Sequence, residues 1–278
     1  MQPFADGLIF GEGLRWRDSR LWLSDMLARK VYAFTESGHR ELIADVPGKP
    51  NGLAFLPDGR LIIASMSDGR LLRREPSGEL VVHADMSALM TGYTGDIAVD
   101  RAGRAYVDDV GYRVFEGAKP ANGRLLIVEM SGKARLLEDN LAFPNGMWIT
   151  IDGKRLIFAE GRAGKLFEYR LMDDGTFAAK RLIAHLPDTV FDGLTLDEQD
   201  GIWACQPYQK RVIRLDASGN MTDELRFQDT KPIACCLGGP DLRTLYVVSA
   251  DYTLERMATN DCWAVIHAAR VEVPGFPL

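Results

Sequence analysis

Short stretches in which apolar residues alternate with polar ones follow one another along the chain, and turn residues separate them. Six stretches open at the same point of a repeat, and four of the six pair an acidic or amide residue with glycine. They begin at Glu12, Asn51, Gly95, Asn145, Asp192 and Ile233, so the spacings are 39, 44, 50, 47 and 41 residues. A repeat of this length made of short strands predicts a β-propeller blade. Because equivalent positions of successive blades converge on a central channel, the pattern also predicts a ring of oxygen atoms there.

Three further stretches follow each of the first five openings and two follow the sixth, with clusters of Pro, Asp and Gly between them. Pro57-Asp58-Gly59 is one such cluster, and it supplies the backbone angles that a tight turn needs. The fourth stretch is the most polar, as expected for a solvated outer strand. The sequence therefore predicts an all-β, six-bladed propeller with four antiparallel strands per blade, and one helical turn at most, at residues 87–90. The outermost strand of the sixth blade can come from residues 263–278 or from residues 5–10.

Composition and charge are those of an ordinary folded chain with a large core, since 46% of the 278 residues are hydrophobic and the net charge is −6. No Ser/Pro/Gly-rich linker interrupts the chain, so residues 1–278 are predicted to form a single domain. An acidic balance without a basic stripe argues against nucleic acid as a partner. No apolar run reaches the length of a membrane span. The N-terminus has no signal-peptide pattern, which predicts a cytoplasmic protein.

The four cysteines are too few and too irregularly placed for a disulfide scaffold. Cys235 and Cys236 are adjacent on a predicted inner strand, so their side chains should point to opposite faces. We predict free buried thiols in a reducing compartment. A pair between Cys262 and either Cys235 or Cys236 is the alternative.

Four segments carry motifs in a fixed order: GEGLRW at residues 11–16, FPNG at 143–146, FDGLTLD at 191–197 and KPIACCLGGPDLRTLY at 231–246. Through them the chain resembles the senescence-marker-protein/gluconolactonase family, which includes regucalcin and bacterial sugar lactonases. The resemblance runs from Glu12 to about Ala250 and implies a six-bladed propeller with one divalent cation at the mouth of the channel. Matching motif to motif, it places the metal ligands at Glu12, Asn145 and Asp192.

Two carboxylates and an amide oxygen form a hard ligand set. Such a set suits Ca²⁺, our first choice, and also Mg²⁺ or Mn²⁺, while Zn²⁺ and Fe²⁺ are compatible with it. An open site of this kind polarises a carbonyl group and lowers the pKa of bound water. Asp192 is assigned as the catalytic general base as well as a ligand.

The third repeat departs from the family pattern at two positions. Many relatives have Asn where this chain has Gly95, and a substrate-binding Arg where it has Tyr93. Asp96 matches the family's acidic residue after that Asn. Losing Asn and Arg removes donors that grip sugar hydroxyls, which favours a less polar lactone or another cyclic ester.

Several residues near the ring of oxygen atoms are predicted to contact the substrate or to hold the metal ligands in position. They are Asn51, Tyr93, Asp96, Met147 and Tyr208. A second group of acidic residues ends the predicted second strands: Asp25, Asp108, Asp109, Glu160 and Asp251. We expect these to lie in solvated loops at the mouth opposite the starts of the first strands.

The function predicted from these observations is a metal-dependent hydrolase that opens a lactone by attack of activated water in the channel. One alternative is another reaction at the same metal, such as phosphotriester hydrolysis, hydration or condensation. A second alternative is a non-catalytic propeller that buffers calcium or binds proteins, because propellers serve all these purposes. The expected partner is a small molecule, most simply a lactone.

Overall fold

The computed structural model describes residues 1–277. Over these residues, 24 strands form six separate sheets, each with four antiparallel strands. Every sheet contributes one strand to a central ring, in which each inner strand contacts the inner strands of the two neighbouring sheets. The predicted all-β, six-bladed propeller is therefore confirmed.

The two inner strands of each blade form a tight hairpin beside the channel. The innermost strands are β2 (Gly11–Arg17), β6 (Pro50–Phe55), β10 (Thr94–Val99), β14 (Pro144–Ile149), β18 (Leu194–Leu196) and β22 (Lys231–Gly238). The second strands are β3 (Arg20–Asp25), β7 (Leu61–Ser65), β11 (Ala105–Asp109), β15 (Arg155–Glu160), β19 (Ile202–Gln206) and β23 (Thr244–Asp251). Three of the second strands, β7, β11 and β19, are buried at every position because neighbouring blades cover both of their faces.

The two outer strands of each blade carry the polar positions. The third strands are β4 (Lys30–Thr35), β8 (Arg70–Arg74), β12 (Gly123–Val128), β16 (Lys165–Leu171), β20 (Arg211–Leu215) and β24 (Trp263–Arg270). The outermost strands are β5 (Arg40–Asp45), β9 (Leu80–Asp85), β13 (Ala134–Leu141), β17 (Phe177–His185), β21 (Met221–Arg226) and β1 (Gln2–Leu8). No residue of β21 is fully buried, which agrees with the solvated outer strand expected from the sequence.

The N-terminal strand closes the ring. β1 pairs antiparallel with β24 and becomes the fourth strand of the sixth blade, beside β22 and β23. Of the two possibilities left open by the sequence, the structure selects the N-terminal segment, because residues 271–277 form no strand and turn back toward Leu242. The backbone N–H groups of Ile9 and Phe10 each donate to the Asp25 carboxylate at 3.0 Å, so the first blade holds the closing strand in place.

Apolar side chains from facing blades fill the space between the sheets. Between the second and third blades, for example, Leu56 and Ile62 pack in one cluster with Val107 and Leu126, and all four are fully buried. Burying one such side chain contributes about 1.5–3 kcal/mol. The core is thus a set of layers between blades, arranged around the central channel.

Helical structure is confined to loops. Residues 87–90 form the single turn expected from the sequence, with Leu89 and Met90 N–H groups both donating to the Met86 carbonyl. The sequence did not predict the short helix α1 (Leu254–Ala258) or the 3-10 helices Val114–Glu116 and Gly161–Ala163. Within residues 1–277, no helix combines the length and the apolar character needed to cross a membrane.

All four cysteines are free thiols in the structure. Cys235 and Cys236 pack in different apolar clusters, so their side chains do point to opposite faces of β22. The thiols are unpaired as predicted, and Cys205, Cys235 and Cys236 are buried, whereas Cys262 is only partly buried.

Candidate functional site

The inner strands are distorted where the repeat opens. In five of the six blades the pairing of the two inner strands shifts at this point. A shift of this kind is a β-bulge, which bends the strand and turns a side chain away from the regular alternation. The opening residues of successive blades can therefore aim at the channel.

The glycine after each polar residue is required by close approach of neighbouring blades. A Cβ atom on Gly13 would lie 2.5 Å from the Asn51 carbonyl oxygen of the next blade. A Cβ on Gly146 would lie 2.2 Å from the Asp192 carbonyl oxygen. The inner strands are thus too close for any side chain at these positions, and the repeated polar–glycine pair follows from crowding around the axis.

A cavity of about 170 Å³ lies at this mouth of the channel. Glu12, Asn51, Asn145 and Asp192 all line it together with Gly95, so five blades bring their opening residues to one place, and four of these residues are polar. The structure therefore joins the three candidate ligands and Asn51. Burial raises the pKa of Asp192, and the neighbouring Asn145 side chain lowers it in part.

Three of the five acidic residues that end the second strands are buried, so the expectation of solvated loops was wrong for them, whereas Glu160 and Asp251 are half-buried. Asp25 is 1% exposed, and Asp108 and Asp109 are fully buried. Adjacent antiparallel strands run in opposite directions, so the end of the second strand lies beside the start of the first. Thr94 pairs with Asp109 in this way. The second strands therefore end at the same mouth as the candidate ligands.

Two of these residues hold loops in place. Asp25 accepts the closing-strand N–H groups, and Asp109 accepts the N–H groups of Thr91, Gly92 and Gly111. A buried carboxylate that accepts several backbone donors satisfies groups that would otherwise be unpaired. Their role is structural.

Asp108 points the other way, into the cavity, and the sequence analysis missed it. Its carboxylate accepts the N–H of Gly95 at 2.7 Å and the N–H of Asp96 at 3.0 Å. A Cβ atom on Gly95 would lie 2.4 Å from an Asp108 oxygen. The Asp108 carboxylate thus fills the space that a side chain at position 95 would enter. Counting residues across the β10–β11 hairpin would have placed Asp108 opposite Gly95.

Asp96 and Met147 do not reach the cavity. Asp96 lies behind it, where a guanidinium nitrogen of Arg15 is 3.5 Å from its carboxylate. Met147 is fully buried and lines a separate cavity of about 450 Å³ at the opposite end of the channel. The bulge after Asn145 and the return to regular alternation turn Met147 away from the candidate ligands.

Tyr93 and Tyr208 do line the cavity. Tyr93 is only 5% exposed, and its hydroxyl donates to a Glu116 carboxylate oxygen at 3.2 Å. Tyr208 is 64% exposed and lies at the rim. Arg162 is a further lining residue that the sequence did not indicate, and its guanidinium lies over the Phe143 ring at 4.7 Å.

Negative charge is concentrated at this site. We call Glu12, Asp96, Asp108 and Asp192 the acidic cluster. Burial raises the pKa of Glu12 well above its usual range, and the charges of the other three raise it further. Burial also raises the pKa of Asp108, with Asp96 contributing. Within residues 1–277, Arg15 is the only cationic side chain that forms an ion pair with the cluster.

The donor set fits a hard divalent cation. Over residues 1–277, no three His, Cys, Asp or Glu side chains form a metal-binding group by themselves. The candidate set instead combines the carboxylates of Glu12 and Asp192 with the Asn145 amide. Oxygen donors of this type suit Ca²⁺ or Mg²⁺, and buried carboxylates in excess of their cationic partners are stabilised by such an ion.

The negative charge of the acidic cluster predicts how the stability of the metal-free protein depends on pH. Burial raises the pKa of Asp192 from 3.8 to about 7, so between these values the folded state holds a proton that the unfolded chain releases. This contribution to the free energy of unfolding is complete below about pH 4. It is lost as the pH rises toward 7, at about 1.4 kcal/mol per pH unit. We expect urea unfolding in the presence of a chelator to show that wild type loses stability relative to Asp192→Asn as the pH rises from about 4 to 7. A difference independent of pH would contradict the expectation.

The chain is similar in sequence to proteins of one family. The family model described as the SMP-30/Gluconolactonase/LRE-like region matches residues 10–251. The pentonolactonase XacC of Haloferax volcanii is 29% identical over 252 residues, which are 86% of this chain and 81% of the relative. The 6-deoxy-6-sulfogluconolactonase of Pseudomonas putida is 24% identical over 275 residues, which are 96% of this chain and 93% of the relative.

Solved structures share the fold. The calcium-binding protein regucalcin of Agrobacterium tumefaciens superimposes with a TM-score of 0.80 at 21% identity, covering 100% of this chain and 99% of that one. At this identity the match concerns the fold, whereas the family model covers most of the chain itself. The chain therefore belongs to the SMP-30/gluconolactonase/LRE-like family.

Proposed function

We propose that the protein hydrolyses lactones, using a divalent cation held by Glu12, Asn145 and Asp192. The observation that carries the proposal is the meeting of these three oxygen-bearing side chains, from three different blades, in one cavity. Relatives named as pentonolactonase and sulfogluconolactonase support the reaction class. The excess of buried carboxylates supports the cation.

A bound cation would polarise the lactone carbonyl and lower the pKa of a water molecule. The side chains of the protein carry out the proton transfers. Asp192 accepts a proton from the attacking water as the water oxygen bonds to the acyl carbon. The ring C–O bond then breaks, and the ring oxygen takes the proton that Asp192 had accepted, so Asp192 returns to a carboxylate and the product is a hydroxy acid. The neighbouring Asn145 side chain favours the ionised form of Asp192, which a general base needs.

The same oxygen donors favour Ca²⁺ among the common divalent ions. Ca²⁺ accepts irregular oxygen coordination, whereas Mg²⁺ demands a nearly ideal octahedron. Glu12, Asn145 and Asp192 contribute no sulfur or imidazole, which are the ligands that most often hold Zn²⁺ in proteins. We propose Ca²⁺ as the native ion.

A pH-indicator assay over a panel of lactones tests the proposal. The protein is first stripped with a chelator and then assayed after single additions of Ca²⁺, Mg²⁺, Mn²⁺, Zn²⁺ or Fe²⁺. Turnover that is lost on stripping and restored by one ion supports the proposal and identifies the ion. Full turnover in the stripped protein would refute the metal requirement. Tight Ca²⁺ binding without turnover of any lactone would favour a different reaction or a binding role.

The Asp108 carboxylate fills the space beside Gly95, and this arrangement gives a separate prediction. Gly95→Asn should destabilise the protein by about 2 kcal/mol, because the new Cβ would lie 2.4 Å from an Asp108 oxygen. Adding Asp108→Gly should restore at least half of this loss, because it empties the crowded space. Urea unfolding of the two single variants and the double variant measures the coupling. Additive effects of the two substitutions would show that the side chains do not share one space.

A further inference from the structure

Two loop segments from opposite sides of the propeller meet above the mouth cavity. The 3-10 helix Val114–Glu116 belongs to the third blade and α1 to the sixth, and these blades face each other across the ring. The two segments nevertheless contact each other. We call them the cover. A contact between opposite blades is formed only across the channel, so the cover encloses the cavity from above.

The cover presents apolar side chains to the cavity. Val114 and Phe115 contribute from the 3-10 helix, and Leu254 and Met257 contribute from α1. Met257 is 5% exposed, whereas Leu254 is 52% exposed and therefore available to a ligand. Glu12, Asp108 and Asp192 of the acidic cluster lie on the channel side with Asn145, so the cavity has one polar end and one apolar end.

The walls between these two ends are also largely apolar. Phe10, Met26, Met66, Val110, Phe143 and Val190 line them. Even the amide of Asn51 faces a methionine, since its nitrogen lies 4.0 Å from the Met66 sulfur. Arg162 and Tyr208 supply polar groups at other points of the lining, but bound hydroxyl groups that lie against these apolar walls would lose water without gaining protein partners.

Tyr93 also presents an apolar surface to the cavity, although it is a polar residue. Its hydroxyl is engaged by Glu116, and its ring packs on the Phe115 ring with centroids 5.4 Å apart. The Arg113 guanidinium covers the Tyr93 ring at 5.4 Å. Tyr93 therefore offers the cavity an aromatic surface and no free donor.

Selectivity follows from these contacts. A hydroxyl group buried without a partner weakens binding by roughly 10- to 100-fold. A methylene group that moves from water into an apolar site strengthens binding about fourfold. At about 170 Å³ the cavity is smaller than the roughly 300–1,000 Å³ of sites for drug-sized ligands, so it suits one ring with a short substituent.

We propose that the substrate is a lactone with a short alkyl or aryl substituent, which packs beneath the cover while the ester group faces the acidic cluster. The proposal rests on the proposed function and adds the substrate class to it. A polyhydroxylated sugar lactone is then a poor substrate, because its hydroxyl groups would meet the side chains of the cover and walls.

The first test compares kcat/KM for γ-lactones with substituents from methyl to hexyl and for pentono- and gluconolactones. We expect kcat/KM to rise about fourfold per methylene until the cavity is full, and to be at least tenfold lower for the sugar lactones. Higher kcat/KM for a sugar lactone than for every alkyl lactone would overturn the proposal.

Lactams with the same substituents separate the substrate class from the reaction. They have the shape of the lactones but resist hydrolysis, and calorimetry measures their binding directly. If no lactone is turned over, yet alkyl lactams bind at least tenfold more tightly than hydroxylated ones, the substrate class stands and the proposed reaction fails. If alkyl lactams bind no better than hydroxylated ones, the substrate class fails as well.

Two leucine variants test the position of the substituent. Leu254 in the cover is 52% exposed and Leu182 on β17 is 49% exposed, so the same substitution removes a similar surface at both sites. Leu254→Ser should reduce the ratio of kcat/KM between the hexyl and methyl lactones by about fivefold. Leu182→Ser should leave that ratio within about twofold. Equal ratios in wild type and Leu254→Ser would show that the substituent does not lie beneath α1.

Discussion

Asp192→Ala should reduce kcat/KM for any lactone substrate by at least about 1,000-fold and weaken divalent-cation binding by more than about 100-fold. Asp192 lies in the cavity with Glu12 and Asn145, and its own N–H donates to the Cys205 carbonyl at 2.9 Å. That backbone contact holds the residue in place regardless of its side chain. We therefore expect the variant to keep the propeller fold while losing both the ligand and the base.

Asp223→Ala is the matched control for this variant. Asp223 is exposed on β21, the outermost strand of the same blade, and lies outside the mouth cavity. It should retain wild-type turnover and cation binding. Calorimetric titration with Ca²⁺ and circular dichroism on both variants separate loss of the site from loss of the fold. Retention of both metal and turnover in Asp192→Ala would show that the site lies elsewhere.

Gly13→Ala should destabilise the fold by about 3–4 kcal/mol. Gly13 has a positive φ of 60°, which costs an alanine about 1 kcal/mol or more. Its Cβ would also lie 2.5 Å from the Asn51 carbonyl oxygen and 3.0 Å from the Leu53 nitrogen. Backbone atoms of an adjacent blade yield less readily than a side chain, so crowding adds about 2–3 kcal/mol.

Gly117→Ala separates the two causes. Gly117 has a similar φ of 71°, but a Cβ there would have no neighbour within 4 Å. This variant should cost only the conformational part, about 1 kcal/mol. Urea unfolding at one pH and one metal concentration measures both. Equal losses in the two variants would contradict the view that neighbouring blades crowd the polar–glycine positions.

Strand structure was predictable because it depends on local pattern. Five of the six predicted opening residues lie on the innermost strands as the structure has them: Glu12, Asn51, Gly95, Asn145 and Ile233. Glu12, Asn51, Asn145 and Asp192 were predictable for a related reason, since each occupies the same point of the repeat. A repeat imposes equivalent positions on every blade, so a shared register in the sequence becomes a shared place in space.

The misplaced acidic residues show where local pattern is insufficient. Asp108 and Asp109 are neighbours in the sequence, yet one enters the cavity and the other holds the loop at Thr91 and Gly92. Side-chain alternation separates them, and the hairpin register decides which one faces the channel. The role of Asp108 also depends on the missing side chain at Gly95, which lies on another strand.

The sequence by itself determined the six-bladed architecture, the four strands of each blade and the four opening residues that line the cavity, because each of these follows from periodicity and turn chemistry. Only the tertiary structure decided that β1 closes the ring, that Asp108 replaces a side chain at position 95, that Met147 faces the opposite end, and that two distant loops cover the mouth. The physical reason is that these features arise from contacts between blades. Such contacts depend on strand register and packing across the channel, which no stretch of the chain encodes alone.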